Sequence, residues 1–313
     1  MRQATLEAPK TIVWRDTQTP QPAPGEVIVR VRAALTCGTD LKTYRRGHPK
    51  LRFGPFGHEG SGDVAAVGEG VSDFRPGDPV MWTPTAPCGA CERCLAGGEN
   101  LCSHLTDDMA LGAYADFLRL PARVVARNLF PKPADLHYVE AAFLEPLSCV
   151  VHGWEVLRNA KPARSSPTAV AIIGAGSIGL LHLGYARHAG VTATVIAHDQ
   201  RRMQIAADMG SQAVFSATEP ALEAAFPAVI DCGGTVQSWR DAIALTAPGG
   251  RTLLFSGLPD RAEVTLDATR VHYDELTLLG SFHFTPADVR AARTLLVEGA
   301  LQLQPLISDV LAL

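Results

Sequence analysis

The feature that most constrains the fold is a glycine-rich segment, Gly174-Ala-Gly176-Ser-Ile-Gly179, which directly follows the apolar run 169–173. The run has the length and composition of a buried strand, and the residues after the third glycine continue as an amphipathic helix. In such a unit the first glycine permits a tight turn, the second lets the backbone approach a pyrophosphate, and the third lets helix and strand pack closely. The predicted dinucleotide-binding residues are Gly174, Gly176, Ser177, Ile178 and Gly179.

The rest of the chain has two different textures, and its 313 residues suffice for about two domains of roughly 150 residues each. Beyond the segment 161–167, apolar strand-length runs alternate with helix-length segments, a pattern typical of a parallel sheet with helices on both faces. The first third instead holds short apolar runs between Pro and Gly clusters, which is typical of a β-rich domain. We therefore predict an α/β protein with a β-rich domain over 1–150 and a Rossmann doubly wound parallel-sheet domain over 151–282.

Charge and hydropathy exclude two classes of partner. The net charge is −4, and no run of Lys and Arg exceeds two residues, so the sequence lacks the basic footprint of a nucleic-acid-binding protein. It also lacks a charge-free apolar run of about 20 residues, and its first residues contain no apolar core of signal-peptide length. We therefore expect a cytoplasmic protein whose partners are neither nucleic acid nor a membrane.

Four of the seven cysteines lie within fifteen residues. They are Cys88, Cys91, Cys94 and Cys102. Clustered thiolates at these spacings can converge on one tetrahedral ion, whereas a disulfide framework would spread its cysteines along the chain. The sequence therefore predicts a metal-binding lobe over about 86–104.

A second group of residues has the composition of a catalytic metal site. Cys37 is followed by Thr39, and the pair His58-Glu59 comes about twenty residues later. One thiolate, one imidazole and one carboxylate suit a zinc ion that keeps a fourth position open for water or substrate. Taken alone, these residues fit an ordinary core or surface better than a site, and only as a set are Cys37, His58 and Glu59 candidates for a catalytic metal site.

Five blocks occur in an order that resembles a known family. They are Cys37-Gly-Thr-Asp40, Gly57-His-Glu-Gly-Ser-Gly62, the four-cysteine lobe, Phe143-Leu-Glu-Pro-Leu147 and the glycine-rich segment. On these blocks the chain is identified as a member of the zinc-dependent medium-chain dehydrogenase/reductase family. It is similar to the branch that contains sorbitol, threonine and related polyol or sugar dehydrogenases.

The resemblance implies roles for individual residues and two zinc ions per chain. Cys37 and His58 match ligands of the catalytic zinc, and either Glu59 or Glu145 supplies a further ligand. Thr39 matches the residue that starts the proton relay, and the four clustered cysteines match the structural zinc site. Many relatives carry a relay histidine where this chain has Lys42, so proton exit is expected through Lys42, His48 or water.

The resemblance also implies a GroES-like first domain and an active site in the cleft between the domains. There a secondary alcohol and its ketone are interconverted by hydride transfer, and copies of the chain form a homodimer or homotetramer. Residues 283–313 are expected to return to the first domain in a form shorter than in relatives. The alternatives are a zinc-free quinone or enoyl reductase, whose relatives need neither cysteine set, and a non-catalytic zinc- and nucleotide-binding protein.

The choice of dinucleotide depends on the residues after the second strand of the Rossmann domain. Asp199 lies 20 residues after Gly179 and closes an apolar strand. In Rossmann domains that bind NAD, a carboxylate at this spacing accepts hydrogen bonds from the ribose hydroxyls. We expect NAD on this spacing. A gap-free alignment with the family pattern places His198 at the acidic position instead, with Arg201 and Arg202 near the 2′-phosphate of NADP.

Overall fold

The computed structural model describes residues 1–47, 53–160, 167–214 and 222–312. His48 and the segment 161–166 lie outside these residues. The chain divides into two compact units. The first contains Met1–Cys149, His283–Gly299 and the residues from Val310, and the second contains Val150–Phe282 and Ala300–Asp309.

Residues 300–309 thus group with the second unit, whereas the sequence analysis assigned the whole of 283–313 to the first. The reason lies in side-chain packing against a helix of the second unit. A Cβ atom at Gly184 would lie 3.1 Å from Leu301 Cδ2, and Arg187 Nη1 donates to Gln302 Oε1 at 3.3 Å.

The strands and helices have the following bounds in chain order. The elements up to the unit boundary are β1 (Arg2–Ala8), β2 (Thr11–Asp16), β3 (Val27–Leu35), α1 (Gly38–Arg46), β4 (Gly54–Pro55), β5 (Glu59–Val67), β6 (Pro79–Trp82), α2 (Glu92–Leu95), β7 (Phe117–Leu120), α3 (Ala122–Asn128), β8 (Leu129–Pro131), α4 (Tyr138–Ala141) and α5 (Leu144–Arg158), which crosses that boundary. The later elements are β9 (Ala169–Ile173), α6 (Ser177–His188), β10 (Thr192–Ile196), α7 (Gln200–Asp208), β11 (Gln212–Val214), β12 (Phe226–Asp231), α8 (Val236–Leu245), β13 (Thr246–Leu254), α9 (Ala268–Tyr273), β14 (Thr277–Gly280) and α10 (Pro286–Val297).

The first unit is built on antiparallel strands. A five-stranded sheet has the order β7-β3-β5-β6-β8, and a smaller one has the order β2-β1-β4. Valines that alternate along β3 and the fully buried Trp82 of β6 form the core of the larger sheet. In this sheet Leu35, the last residue of β3, pairs with Glu59, the first residue of β5. This register brings the segment after β3 beside the segment before β5.

The second unit holds a six-stranded sheet in which every pair is parallel, in the order β11-β10-β9-β12-β13-β14. Counted from β9, this is the strand order 3-2-1-4-5-6 of a Rossmann fold. The glycine-rich segment connects β9 to α6 at the carboxyl end of the sheet, where such folds bind ligands. The predicted α/β class and parallel sheet are confirmed.

The glycines of this turn are required by close approaches of the backbone. Gly174 has φ 102°, a conformation that favours glycine, and its amide donates to the carbonyl of Ile196 at the end of β10. A Cβ atom at Gly179 would lie only 1.8 Å from the carbonyl oxygen of Gly174.

Within the described residues, no helix has both the length and the apolar character needed to cross a bilayer.

Candidate active site

The first candidate residues are held by the start of α1. Cys37 caps the helix, and its Sγ accepts the amide hydrogen of Thr39 at 3.3 Å. Asp40 closes a capping box, because its Oδ2 accepts the amide hydrogen of Cys37 at 3.0 Å. The thiol and the Thr39 hydroxyl are thus presented together in the first turn of one rigid element.

His58 is oriented by a chain of buried hydrogen bonds. Its Nδ1 lies 3.1 Å from Asp40 Oδ1, which leaves Nε2 for a metal ion. The hydroxyl oxygen of Tyr114 lies 3.0 Å from Asp40 Oδ2 and 2.8 Å from the carbonyl oxygen of Leu35, and its hydrogen is donated to these two acceptors. The Tyr114 ring packs against Gly57, where a Cβ atom would lie 2.9 Å from the ring.

Three types of side-chain donor lie close together in the first unit. The ligand atoms of Cys37, His58 and Glu59 all lie within 4.8 Å of one another, and both His58 and Glu59 are buried. Burial lowers the pKa of His58, but hydrogen bonds to Asp40 and Cys37 outweigh this effect and raise that pKa well above its usual value. Burial and the nearby Cys37 thiolate raise the pKa of Glu59 well above the usual range of a carboxyl.

Glu145 supplies a second buried carboxyl beside this set. It lies in the first turn of α5, outside the group of three ligand atoms but near enough to hydrogen-bond with Glu59. Burial also raises the pKa of Glu145. Two buried carboxyls beside the half-buried Cys37 thiol are stable in their charged forms only when a cation neutralises them, so the donor set fits a divalent metal ion.

The four clustered cysteines form a second set, with sulfur atoms of all four within 4.8 Å of one another. The Cys91–Cys94, Cys91–Cys102 and Cys88–Cys94 sulfur pairs are 3.5, 3.8 and 3.9 Å apart. A tetrahedron with Zn–S bonds of about 2.3 Å has edges of about 3.8 Å. The spacing fits one tetrahedral zinc ion and excludes disulfides, whose sulfurs lie about 2.05 Å apart.

Backbone amides surround these sulfurs. The amides of Cys88 and His104 donate to Cys102 Sγ, and those of Ala90 and Cys91 donate to Cys88 Sγ, at 3.3–3.5 Å. Hydrogen bonds from backbone amides lower the pKa of Cys91 to about 5, which favours the thiolate that zinc requires.

In the second unit the predicted dinucleotide residues lie on one turn. Gly176 caps α6, and Ser177 and Ile178 form its first turn, so the amides of this helix end point at an anion site. Asp199 lies beyond the end of β10 and caps α7: its Oδ1 accepts the amide hydrogen of Arg202 at 2.9 Å.

Sequence analysis missed two residues that support the first site. Asp40 stands three residues after Cys37, the spacing of a capping box, and this pattern could have singled it out. Tyr114 is 56 residues from His58 in sequence, and no local pattern announces its contact with Asp40. Only the pairing of segments that are distant in sequence brings Asp40, His58 and Tyr114 together.

Comparison with known proteins identifies the family. The sequence profile of the alcohol dehydrogenase GroES-like domain matches residues 23–133, and that of the zinc-binding dehydrogenases matches residues 177–298. The D-altritol 5-dehydrogenase of Agrobacterium fabrum is 33% identical, over 82% of this chain and 77% of its own. The L-threonine 3-dehydrogenase of Bacillus velezensis is also 33% identical, over 92% and 85%.

A solved structure agrees with these sequence relatives. A Sinorhizobium meliloti protein crystallised with NADP superposes with a TM-score of 0.84 at 29% identity, over 97% of this chain and 90% of its own. The chain therefore belongs to the zinc-dependent medium-chain dehydrogenase/reductase family, in its polyol dehydrogenase branch.

The family confirms the coarse predictions from sequence. The first unit contains a GroES-like domain, and the protein is an alcohol dehydrogenase-type oxidoreductase that uses zinc and a nicotinamide cofactor. The number of zinc ions, the residues that bind them and the choice between NAD and NADP remain proposals.

Proposed function

We propose that the protein interconverts a secondary alcohol of a small polyol, sugar or amino alcohol and the corresponding ketone, with zinc bound by Cys37, His58 and Glu59. The observation that carries this proposal is the convergence of one sulfur, one imidazole nitrogen and one carboxylate oxygen within 4.8 Å. Three such donors leave the fourth zinc position for substrate. Glu145 is the alternative carboxylate ligand, since it is buried beside Glu59.

Zinc supplies Lewis-acid stabilisation of the alcohol oxygen, and the nicotinamide ring supplies the hydride acceptor. The chain's own residues hold and move the proton. Thr39 lies in the first turn of α1, two residues after the cap Cys37. Its hydroxyl takes the substrate proton and passes it towards solvent. Lys42 lies one turn further along α1, and the proton leaves through Lys42, His48 or water.

Asp40 keeps the imidazole of His58 in place, because it accepts hydrogen bonds from His58, Tyr114 and the Cys37 amide. A carboxylate in this position fixes the tautomer of a metal-binding histidine and raises its basicity. The four-cysteine set holds a second, structural zinc ion, for a total of two per chain. A closed thiolate site has no position for substrate and contributes folding energy instead.

We further propose that copies of the chain associate as a homodimer or homotetramer in the cytoplasm. Among the described residues β14 leaves one edge of the six-stranded sheet unpaired, and such an edge is a template for pairing with another chain. None of the seven cysteines, all of which lie in the described residues, is in a disulfide, which supports a reducing compartment. Light scattering from the purified protein measures the mass of the assembly.

A dehydrogenase screen tests the proposed activity. The purified protein is offered D-altritol, sorbitol and L-threonine with NAD or NADP, and the absorbance of the reduced nicotinamide is followed. We expect turnover of at least one polyol or amino alcohol, and a loss of about 1,000-fold or more in kcat for Cys37→Ser, since the metal contributes several kcal/mol to the transition state. Cys149→Ala is the matched control, because it removes a nearby half-buried thiol that is not among the ligands and whose Sγ lies 4.0 Å from Glu145 Oε1. Wild-type turnover by Cys37→Ser would contradict the proposed site.

A further inference from the structure

The residues after β10 decide which dinucleotide the second unit accepts. The amide of Gly174 donates to the carbonyl of Ile196 at 2.8 Å, so the end of β10 lies directly beside the glycine-rich turn. In Rossmann domains the side chain at this place meets the adenosine ribose, and a carboxylate there selects NAD. The residue that follows Ile196 is Ala197, a buried methyl group that offers no acceptor for ribose hydroxyls.

The first carboxylate after β10, that of Asp199, is engaged by the chain itself. Asp199 is the N-cap of α7, and its Oδ1 accepts the amide hydrogen of Arg202 at 2.9 Å. A capping carboxylate points into the first turn of its own helix and satisfies amides that have no other partner there. The cap engages Oδ1 and leaves Oδ2 as the acceptor that Asp199 could offer to a ribose hydroxyl. Its negative charge is also partly compensated by the positive end of the helix dipole.

A cation takes the place next to the turn. A Cβ atom at Gly176 would lie 3.6 Å from Arg202 Nη1, so the Arg202 guanidinium reaches the turn that adjoins the end of β10. A guanidinium is always charged and presents a planar fork of donors that matches phosphate oxygens. Such a cation near the adenosine ribose favours the additional phosphate of NADP, whereas Ala197 offers the ribose of NAD no acceptor.

We propose that the electron carrier is NADP(H), whose 2′-phosphate binds the Arg202 side chain beside Gly176. This assignment rests on the proposed oxidoreductase function and names the carrier for the same site. It agrees with the gap-free alignment, in which His198 takes the acidic position and the two arginines lie near the 2′-phosphate. Asp199 then has a structural role in α7 and is not a ribose ligand.

Equilibrium binding tests the assignment without any need for turnover. Calorimetric titration of the wild-type protein with NADP⁺ and with NAD⁺ should give a dissociation constant at least about tenfold lower for NADP⁺, since charge-assisted hydrogen bonds to the additional phosphate are formed only there. Adenosine 2′,5′-bisphosphate should compete with NADP⁺, and ADP should compete much less. Equal or tighter binding of NAD⁺ would overturn the proposal.

Three variants assign the effect to residues. Arg202→Gln should weaken NADP⁺ about tenfold or more and change NAD⁺ by no more than about threefold, since only the phosphate contact is lost. Arg201→Gln removes the same charge from the neighbouring exposed position and should have a clearly smaller effect. Equal losses for the two variants would show a general field effect and overturn the role of Arg202. Asp199→Asn keeps an efficient cap and should not weaken NAD⁺, whereas a large loss of NAD⁺ affinity would restore Asp199 as the ribose ligand.

The outcomes separate this inference from the proposed function. If neither dinucleotide binds, the proposed oxidoreductase function fails as well. If NAD⁺ binds more tightly and supports turnover, only the assignment of NADP(H) fails.

Discussion

Two ligand sets lie in the first unit, and they differ in donors and in support. The set at Cys88, Cys91, Cys94 and Cys102 contains four sulfurs spaced like the corners of a tetrahedron, within one short stretch of chain. The set at Cys37, His58 and Glu59 mixes three donor types from α1 and β5, with Asp40 and Tyr114 behind them. The first has every position filled by protein and fits a structural ion, whereas the second leaves a position for chemistry.

The comparison also separates how the two sets are stabilised. The four sulfurs accept hydrogen bonds from local backbone amides, so their geometry follows from a local fold around the ion. The second set depends on the pairing of β3 with β5, because Leu35 and Glu59 are register partners. Removing a ligand from the first set should therefore damage folding, and removing one from the second should damage chemistry.

The largest effect is expected for Cys94→Ser. Cys94 is buried in the lobe, and structural zinc binding contributes about 10–16 kcal/mol to folding in small zinc domains. We expect little soluble protein, or a lobe that proteases cleave readily, by comparison with Cys149→Ala. Soluble yield and limited proteolysis measure this. A Cys94→Ser protein with wild-type zinc content and wild-type resistance would show that the sulfurs do not bind the ion.

A smaller effect, confined to chemistry, is expected for Thr39→Val. Valine keeps the shape of threonine but cannot move a proton, so kcat should fall roughly 100-fold while zinc content stays at the wild-type value. Thr43→Val is the matched control, because it removes a hydroxyl from the same helix that donates to the Thr39 carbonyl. Steady-state kinetics at neutral pH, with chemistry limiting, test the relay. Equal kcat values for Thr39→Val and wild type would rule it out.

Tyr114→Phe should affect one set and spare the other. Loss of the hydroxyl that donates to Asp40 leaves His58 less firmly held, and changes behind metal ligands typically cost about tenfold or more in metal affinity. Competition with a chelator should release one zinc ion about tenfold more readily and leave the other unchanged. Tyr138→Phe serves as the control, because the hydroxyl of Tyr138 donates to Asp63, which belongs to neither set. Parallel weakening of both ions would mean that the two sets are not independent.

The smallest expected effect is on the free energy of unfolding at acid pH. It must be separated from the effect of metal loss on the same quantity. His182 is fully buried in α6, and neither ring nitrogen has a hydrogen-bond partner among the described residues. Burial lowers its pKa to about 3, so the unfolded chain binds a proton that the folded chain does not, and stability is lost as pH falls from about 6.5 towards 3.

His182→Leu should remove this contribution. Its advantage in unfolding free energy over wild type should grow by roughly 1 kcal/mol between pH 8 and pH 6, and denaturant unfolding with zinc in excess measures it. The remaining acid sensitivity then belongs to the metal sites and the carboxylates. An advantage that does not change with pH would show that the pKa of His182 is the same in the folded and the unfolded chain.

Local patterns in the sequence predicted much of this arrangement. The glycine-rich turn after β9 and the four-cysteine lobe are set by neighbours in the chain, and the structure places both as expected. The Tyr114–Asp40 contact could not be predicted, because it depends on the packing of distant segments. The spacing of Asp199 from Gly179 fits a ribose ligand, but spacing alone does not reveal that the same residue caps α7 through its hydrogen bond with the Arg202 amide. The grouping of 300–309 with the second unit likewise follows from the packing of Leu301 on Gly184.

The most direct test of the central claim, that one set holds a structural ion and the other a catalytic one, is the zinc content of wild type and Cys37→Ser. Native mass spectrometry of each purified protein counts the ions per chain. The account predicts about two for wild type and about one for a folded but inactive Cys37→Ser, since each ligand set holds one ion. A wild-type protein with about one zinc ion that Cys37→Ser does not displace would contradict it.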